Sequence, residues 1–211
     1  MGSVVEVLLL LVVLTDFVVL GATRLSTCIR ATATQGVLLA ALPLALHPGW
    51  SVHLAGLAAG TLVVKSVLLP RFLRWAIREA AVRREVEPLV GFVASLLLGA
   101  LAVAVAFAVA QRLPLPQDDV ALLVPVALAT VMIGLLVLTS RTKALTQVIG
   151  YLLLENGIYV FGLTQVERVP FLVELGVLLD VFVAVFVMGI VVFHINRAFD
   201  SPEVPLPERP N

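Results

Sequence analysis

The sequence predicts an all-α, polytopic membrane protein, and three observations predict it. Of 211 residues, 61% are hydrophobic and 13% charged, against about 25% charged in an average soluble domain. The mean hydropathy is +1.10. The apolar residues recur in blocks of about 20, the length a helix needs to cross a bilayer. Lipid cannot satisfy an exposed backbone, so such blocks are read as helices; the alternation of a membrane barrel is absent.

Seven spans are expected, at 4–22, 34–46, 52–73, 89–110, 120–139, 145–165 and 171–196. The first contains Asp16, read either as a structural hydrogen-bonding acid or as a site. With Arg24 as its first basic residue the N-terminus lacks a signal-peptide n-region, so this helix is expected to be retained. The second span is short, contains Pro43 and is expected to extend back toward Ile29. His47, Pro48, Gly49 and Trp50 form a turn signal before the third. There Gly56 and Gly60 make a small-xxx-small pair that permits close helix contact. Lys65 follows, about 20 Å along the helix from Val52. It either snorkels to the headgroups or serves an ion path. Pro70, a turn later, removes a backbone donor and is expected to kink the helix.

Residues 71–87 mix five arginines with three glutamates and read as an amphipathic surface helix. The fourth and fifth spans carry no acid within their apolar bodies. In the sixth, Gln147, Tyr151, Glu155 and Tyr159 recur every four residues and share a face. Glu155 lies about 15 Å from Leu145, near mid-bilayer, with Asn156 and Gly157 after it. The seventh follows Pro170 and carries Glu174 near its start, where a helix dipole favours an acid, and Asp180 about 15 Å in. The tail, 197–211, is proline-rich and expected to be disordered and cytoplasmic.

Charge in the connections gives the orientation. With the N-terminus outside, the inner connections hold Arg24 and Arg30, five arginines between Arg71 and Arg84, Arg141 and Lys143, then Arg197 and Arg209. The outer ones hold Arg112 and Arg168. That asymmetry predicts N-out, C-in. Residues 1–196 are read as one transmembrane domain.

Acidic and basic residues balance at 14 each, and no basic tract suggests nucleic acid. Cys28 is the single cysteine, which excludes an intramolecular disulfide and a cysteine-built metal or iron–sulfur site. No internal repeat supports a transporter built from paired halves. What remains is a set of intramembrane polar groups: Glu155, Asp180, Glu174 and Lys65 as candidates for an ion pathway, with Tyr151, Asn156, Tyr159 and Asp16 in support. An acid stripped of water favours its neutral form, and a nearby lysine or a hydrated cavity reverses this. Such groups suit proton or cation relays. They suit equally a buried polar lock between helices.

RLSTC at 24–28, KSVLLP at 65–70, SRTKALTQVIGYLLLENG at 140–157 and the run VELGVLLDVFVAVFVM ending at Met188 carry a resemblance. The chain resembles the hydrogenase-4 component E family, membrane subunits of nickel–iron hydrogenase and formate hydrogenlyase assemblies. Residues 120–196 are similar to the small three-helix subunit of complex I and of multisubunit Na⁺/H⁺ antiporters. The resemblance implies a non-redox subunit of a bacterial or archaeal cytoplasmic membrane. Antiporter-like and hydrogenase-proximal subunits would be its neighbours, with the nickel–iron site and iron–sulfur clusters in partner chains. Glu155 takes the place of that family's buried glutamate on the lateral proton path, and Glu174 and Asp180 compete for the place of a second acid. The alternative is a scaffold that joins neighbouring subunits without conducting ions.

Overall fold

The computed structural model describes residues 2–46, 52–79, 89–113 and 121–164, with Gly49, Val86, 182–183 and 185–189. Its element order is α1 (Gly2–Gly21), α2 (Leu25–Leu46), α3 (Val52–Thr61), a π-helical segment (Leu62–Leu68), α4 (Leu69–Glu79), α5 (Phe92–Ala110), α6 (Leu123–Ser140) and α7 (Ala144–Leu163). Among the described residues there is no strand, and six helices are long and apolar enough to cross a membrane. The protein is therefore a multi-pass helical membrane protein. The seventh expected span, with Glu174 and Asp180, falls outside the described residues apart from 182–183 and 185–189, which are helical. The tail at 197–211 is also outside them.

Two element boundaries differ from the sequence expectation. The second span starts at Leu25 and runs 22 residues with Pro43 inside its last turn. Thr32 and Thr34 lie within it, each hydroxyl donating to the carbonyl four residues back, at Cys28 and Arg30. Intrahelical bonding of this kind hides polarity that the hydropathy signal counts as a break. The third span does not give way to a separate surface helix at Arg71. Backbone helix is continuous from Val52 to Glu79, and the span itself runs Ala55–Arg78. A proline ring clashes with the carbonyl four residues behind it, here that of Ser66. The turn before Pro70 is opened to π geometry, and the Leu69 N–H reaches back to the Val64 carbonyl. Widening the helix relieves the clash and lets the chain continue. α4 buries Leu69, Leu73 and Ala76 while Arg71, Arg74 and Trp75 stay exposed.

α6 and α7, joined by a short connection, form the most closely packed pair. A Cβ built on Gly157 would lie 2.7 Å from the Val131 backbone nitrogen and 2.8 Å from the Ala127 carbonyl oxygen. One built on Gly150 would lie 2.9 Å from the Leu138 Cα. Glycines one heptad apart on α7 thus let two backbones touch, the device small residues serve in membranes. The Gly56–Gly60 pair meets nothing within 4 Å. The close contact that this pair permits is not made among the described residues, where both glycines are exposed.

The core is split into two apolar clusters. One holds Val19, Leu20, Leu25, Ile29, Leu69, Leu73, Ile133, Val137, Ile149 and Leu152. The other holds Val5, Leu9, Val12, Leu39, Leu42, Leu123, Val126, Val160 and Leu163. Between these clusters each of α1, α2, α6 and α7 buries at least one polar side chain: Asp16, Thr32 and Gln35, Thr130, and Glu155 with Asn156. A polar layer crosses the bundle between two apolar slabs. The connections carrying Arg24, Arg141 and Lys143 lie together at one end, tied by backbone bonds from Val86 to Thr23 and from Leu89 to Ser140.

Candidate functional site: a polar layer at the middle of the bundle

Lys65 sits in the middle of the π-helical segment and is buried, 5% exposed. Its Nζ forms an ion pair with Glu155 Oε1 on α7, and Glu155 is 1% exposed. Two features bring the pair together. The π turn changes the angular register of the helix, and such turns recur at functional sites. Gly36 on α2 then lets the segment approach: a Cβ there would lie 2.9 Å from Lys65 Cβ and 2.8 Å from Ser66 Oγ. The lysine therefore does not snorkel to the headgroups. One turn away, Thr61 Oγ1 donates to the Tyr159 hydroxyl at 3.4 Å.

On the other side of α7, Asn156 begins a chain of hydrogen bonds. Its Nδ2 donates to Gln35 Oε1 at 2.8 Å. Gln35 Nε2 donates to Asp16 Oδ1 at 2.7 Å, with a longer approach of 3.4 Å to the Val12 carbonyl. Thr130 Oγ1 donates to Asp16 Oδ2 at 2.8 Å. Both oxygens of a fully buried carboxylate are thus engaged by neutral donors. Lys65, Thr32 and Asn156 also border a cavity of about 10 Å³, at the lower end of what one water needs.

In charge terms the layer holds two acids and one base, buried where an isolated charge costs several kcal/mol. Glu155 is offset by Lys65. Asp16 is offset by oriented dipoles, since the Asn156 and Gln35 amides both point their N–H groups toward it.

Sequence similarity places this geometry in a family. The chain is 36% identical over 196 residues to Rv0085 of Mycobacterium tuberculosis, a protein of uncharacterised function, covering 91% of this chain and 89% of that one. It is 31% identical over 148 residues to hydrogenase-4 component E of Escherichia coli K12, covering 70% of this chain and 68% of the relative. The Shigella flexneri protein of the same name matches to the same extent. The chain belongs to the hydrogenase-4 component E family. No family model matches it, and no solved structure does either.

For this component E relative, the structure joins some of the residues singled out in the sequence and separates others. Lys65 meets Glu155, and Asn156 meets Asp16 through Gln35. Tyr151 departs from the expected polar stripe. It is half-buried and lines a separate, mainly apolar cavity of about 210 Å³ with Gln147, Phe182 and Phe186. The α7 helix turns through 100° per residue, so four-residue spacing drifts around the helix and the stripe is divided between neighbours. Glu174 and Asp180 lie outside the described residues.

Sequence reasoning missed three groups. Gln35 and Thr130 were legible only as polar residues inside apolar spans. Arg141 read as a loop cation, but it is 1% exposed: its Nη2 donates to the Leu20 carbonyl at 2.8 Å and its guanidinium lies 5.5 Å from the Phe92 ring centre. A cation there complements the carbonyl end of α1. Burial lowers its pKa from the usual arginine value, and Cys28 partly opposes that.

Proposed function

We propose that this chain is a non-redox membrane subunit of a hydrogenase complex, and that its Lys65–Glu155 pair lies on a lateral proton or Na⁺ path coupled to electron transfer in partner chains. The observation that carries this reading is the buried ion pair itself, held by a π turn and opening onto a polar layer. Intramembrane acids paired with a base are what relays in pumps are built from. Family membership supplies the electron-transferring context, since the Escherichia coli and Shigella flexneri relatives are named hydrogenase-4 component E. The single, buried Cys28 cannot furnish the thiolate set of a nickel–iron or iron–sulfur centre, so those centres belong to partner subunits. The orientation is N-out and C-in, supported by the clustering of Arg24, Arg141 and Lys143 at one end.

Glu155→Gln tests it, in membrane vesicles carrying the complex, with subunit assembly checked first. The amide keeps the shape of the side chain and cannot ionise. Turnover that persists while the ion gradient collapses places Glu155 on the path. Unchanged turnover and gradient overturn the ion-path reading and favour a scaffold, a role that the hydrogen-bonded layer joining α1, α2, α6 and α7 also suits.

A further inference from the structure

Asp16 is the second acid of the layer, and the reading above does not use it. It is fully buried on α1, nearly opposite the charged pair, and its two oxygens have different kinds of partner. Oδ1 is held by an amide, which can only donate through that nitrogen. Oδ2 is held by the Thr130 hydroxyl, which can donate or accept. Three other threonines of α2 and α6 show what Thr130 does when released. Thr32, Thr34 and Thr139 each donate to the carbonyl four residues back in their own helix. Thr130 has the same option at Val126 and instead donates across to Asp16.

We infer that Asp16 is a proton-binding site, loaded at Oδ2 with Thr130 as its switching partner and linked to Lys65–Glu155 by the Gln35 and Asn156 amides. In the ionised form Thr130 and Gln35 both donate to the carboxylate. A proton arriving from water bonds to Oδ2. The new acid O–H then donates to Thr130 Oγ1, and the threonine hydroxyl turns to the Val126 carbonyl. Gln35 keeps its bond to Oδ1, no heavy atom moves, and no polar group is stranded. The amides do not carry the proton onward, because each donates through a nitrogen that has no lone pair to accept one. They carry orientation. A neutral acid is the weaker acceptor, so loading Asp16 loosens its hold on Gln35 and therefore on Asn156, the residue next to Glu155.

Among the described residues of the elements packed against α1, no other charge competes at this position. α5 and α6, packed against α1, contain no ionisable residue. On α2 the ionisable groups are Cys28, two turns from Gln35, and Arg30, which is exposed. On α1 itself Glu6 is exposed. The link to Glu155 rests on the ion-path reading; proton binding at Asp16 does not.

The test is pH-step infrared difference spectroscopy of the full chain in lipid nanodiscs, in H₂O and D₂O. Acidification of the parent gives a protonated-carboxyl C=O band, and Asp16→Asn loses it. Thr130→Ser keeps the band in place. Thr130→Val moves it to higher frequency, because the acid proton loses its acceptor; both threonine variants retain the carboxyl and so report even where Asp16→Asn fails to fold. Glu155→Gln shifts the band in the parent but not in a Gln35→Leu background. Superimposable parent and Asp16→Asn spectra across the pH range overturn the proposal, as does a band that answers sodium at fixed pH and not acid. An Asp16 band that survives while Glu155→Gln leaves the vesicle gradient intact refutes the ion path alone.

Discussion

Lys65→Met keeps the length of the side chain and removes its charge, which makes it the sharpest probe of how dry the polar layer is. An exposed ion pair contributes about 0–1 kcal/mol, and its loss is hard to detect. Lys65 and Glu155 are 5% and 1% exposed, so they belong to the other regime. Removing one partner of a buried pair strands the other charge and costs about 3–5 kcal/mol, a large share of the ~5–15 kcal/mol that holds a typical domain. Glu155→Met strands the lysine and should cost a similar amount. The double variant strands neither and is expected within about 1 kcal/mol of the parent, since apolar replacements of buried pairs are often neutral or better. The resulting coupling is several kcal/mol, at or above the ~0.5–3 kcal/mol usual for neighbouring residues. Equilibrium unfolding of the four proteins in bicelles at one pH measures it. Single variants within about 1 kcal/mol of the parent would show that the pair is hydrated and that the layer is not closed by the apolar clusters.

Two further outcomes follow from packing. Gly157→Ala places a methyl 2.7 Å from the Val131 nitrogen and should cost about 1–3 kcal/mol by forcing α6 and α7 apart; Gly56→Ala, with nothing within 4 Å, should cost nothing, and thermal unfolding compares them. Arg141→Met removes the bond to Leu20 and the contact with Phe92 and is expected to lose about 2 kcal/mol. Arg141→Lys should recover little of that in the same assay, because an ammonium lacks the planar fork.

Hydropathy made the six described spans legible because it is an average over many residues. Glu155 was legible for the same reason: an acid stands out against twenty apolar neighbours. The partner of each polar group was not legible, because one sequence does not say which helices face each other. Lys65 could have reached the headgroups; that it turns inward depends on the π turn before Pro70 and on Gly36 across from it. Gln35 did not stand out in a weak span, yet it bridges Asp16 and Asn156. Spacing also misled at the glycines. Gly56 and Gly60 have the pattern that permits close contact and meet nothing within 4 Å among the described residues, while Gly150 and Gly157, a heptad apart, make the contact.

The layer's position between two apolar clusters has an electrical consequence. A charge carried through the full thickness of a membrane works against the transmembrane potential, about 2.3 kcal/mol per 100 mV. Only displacement along the membrane normal counts. Lys65, Glu155, Gln35 and Asp16 sit at one level, and the clusters around Val137 and Val126 fill the space to either side. Those dry slabs take up nearly all of the voltage drop. A charge shifting sideways within the layer stays close to one equipotential, so a resting voltage neither drives nor resists it.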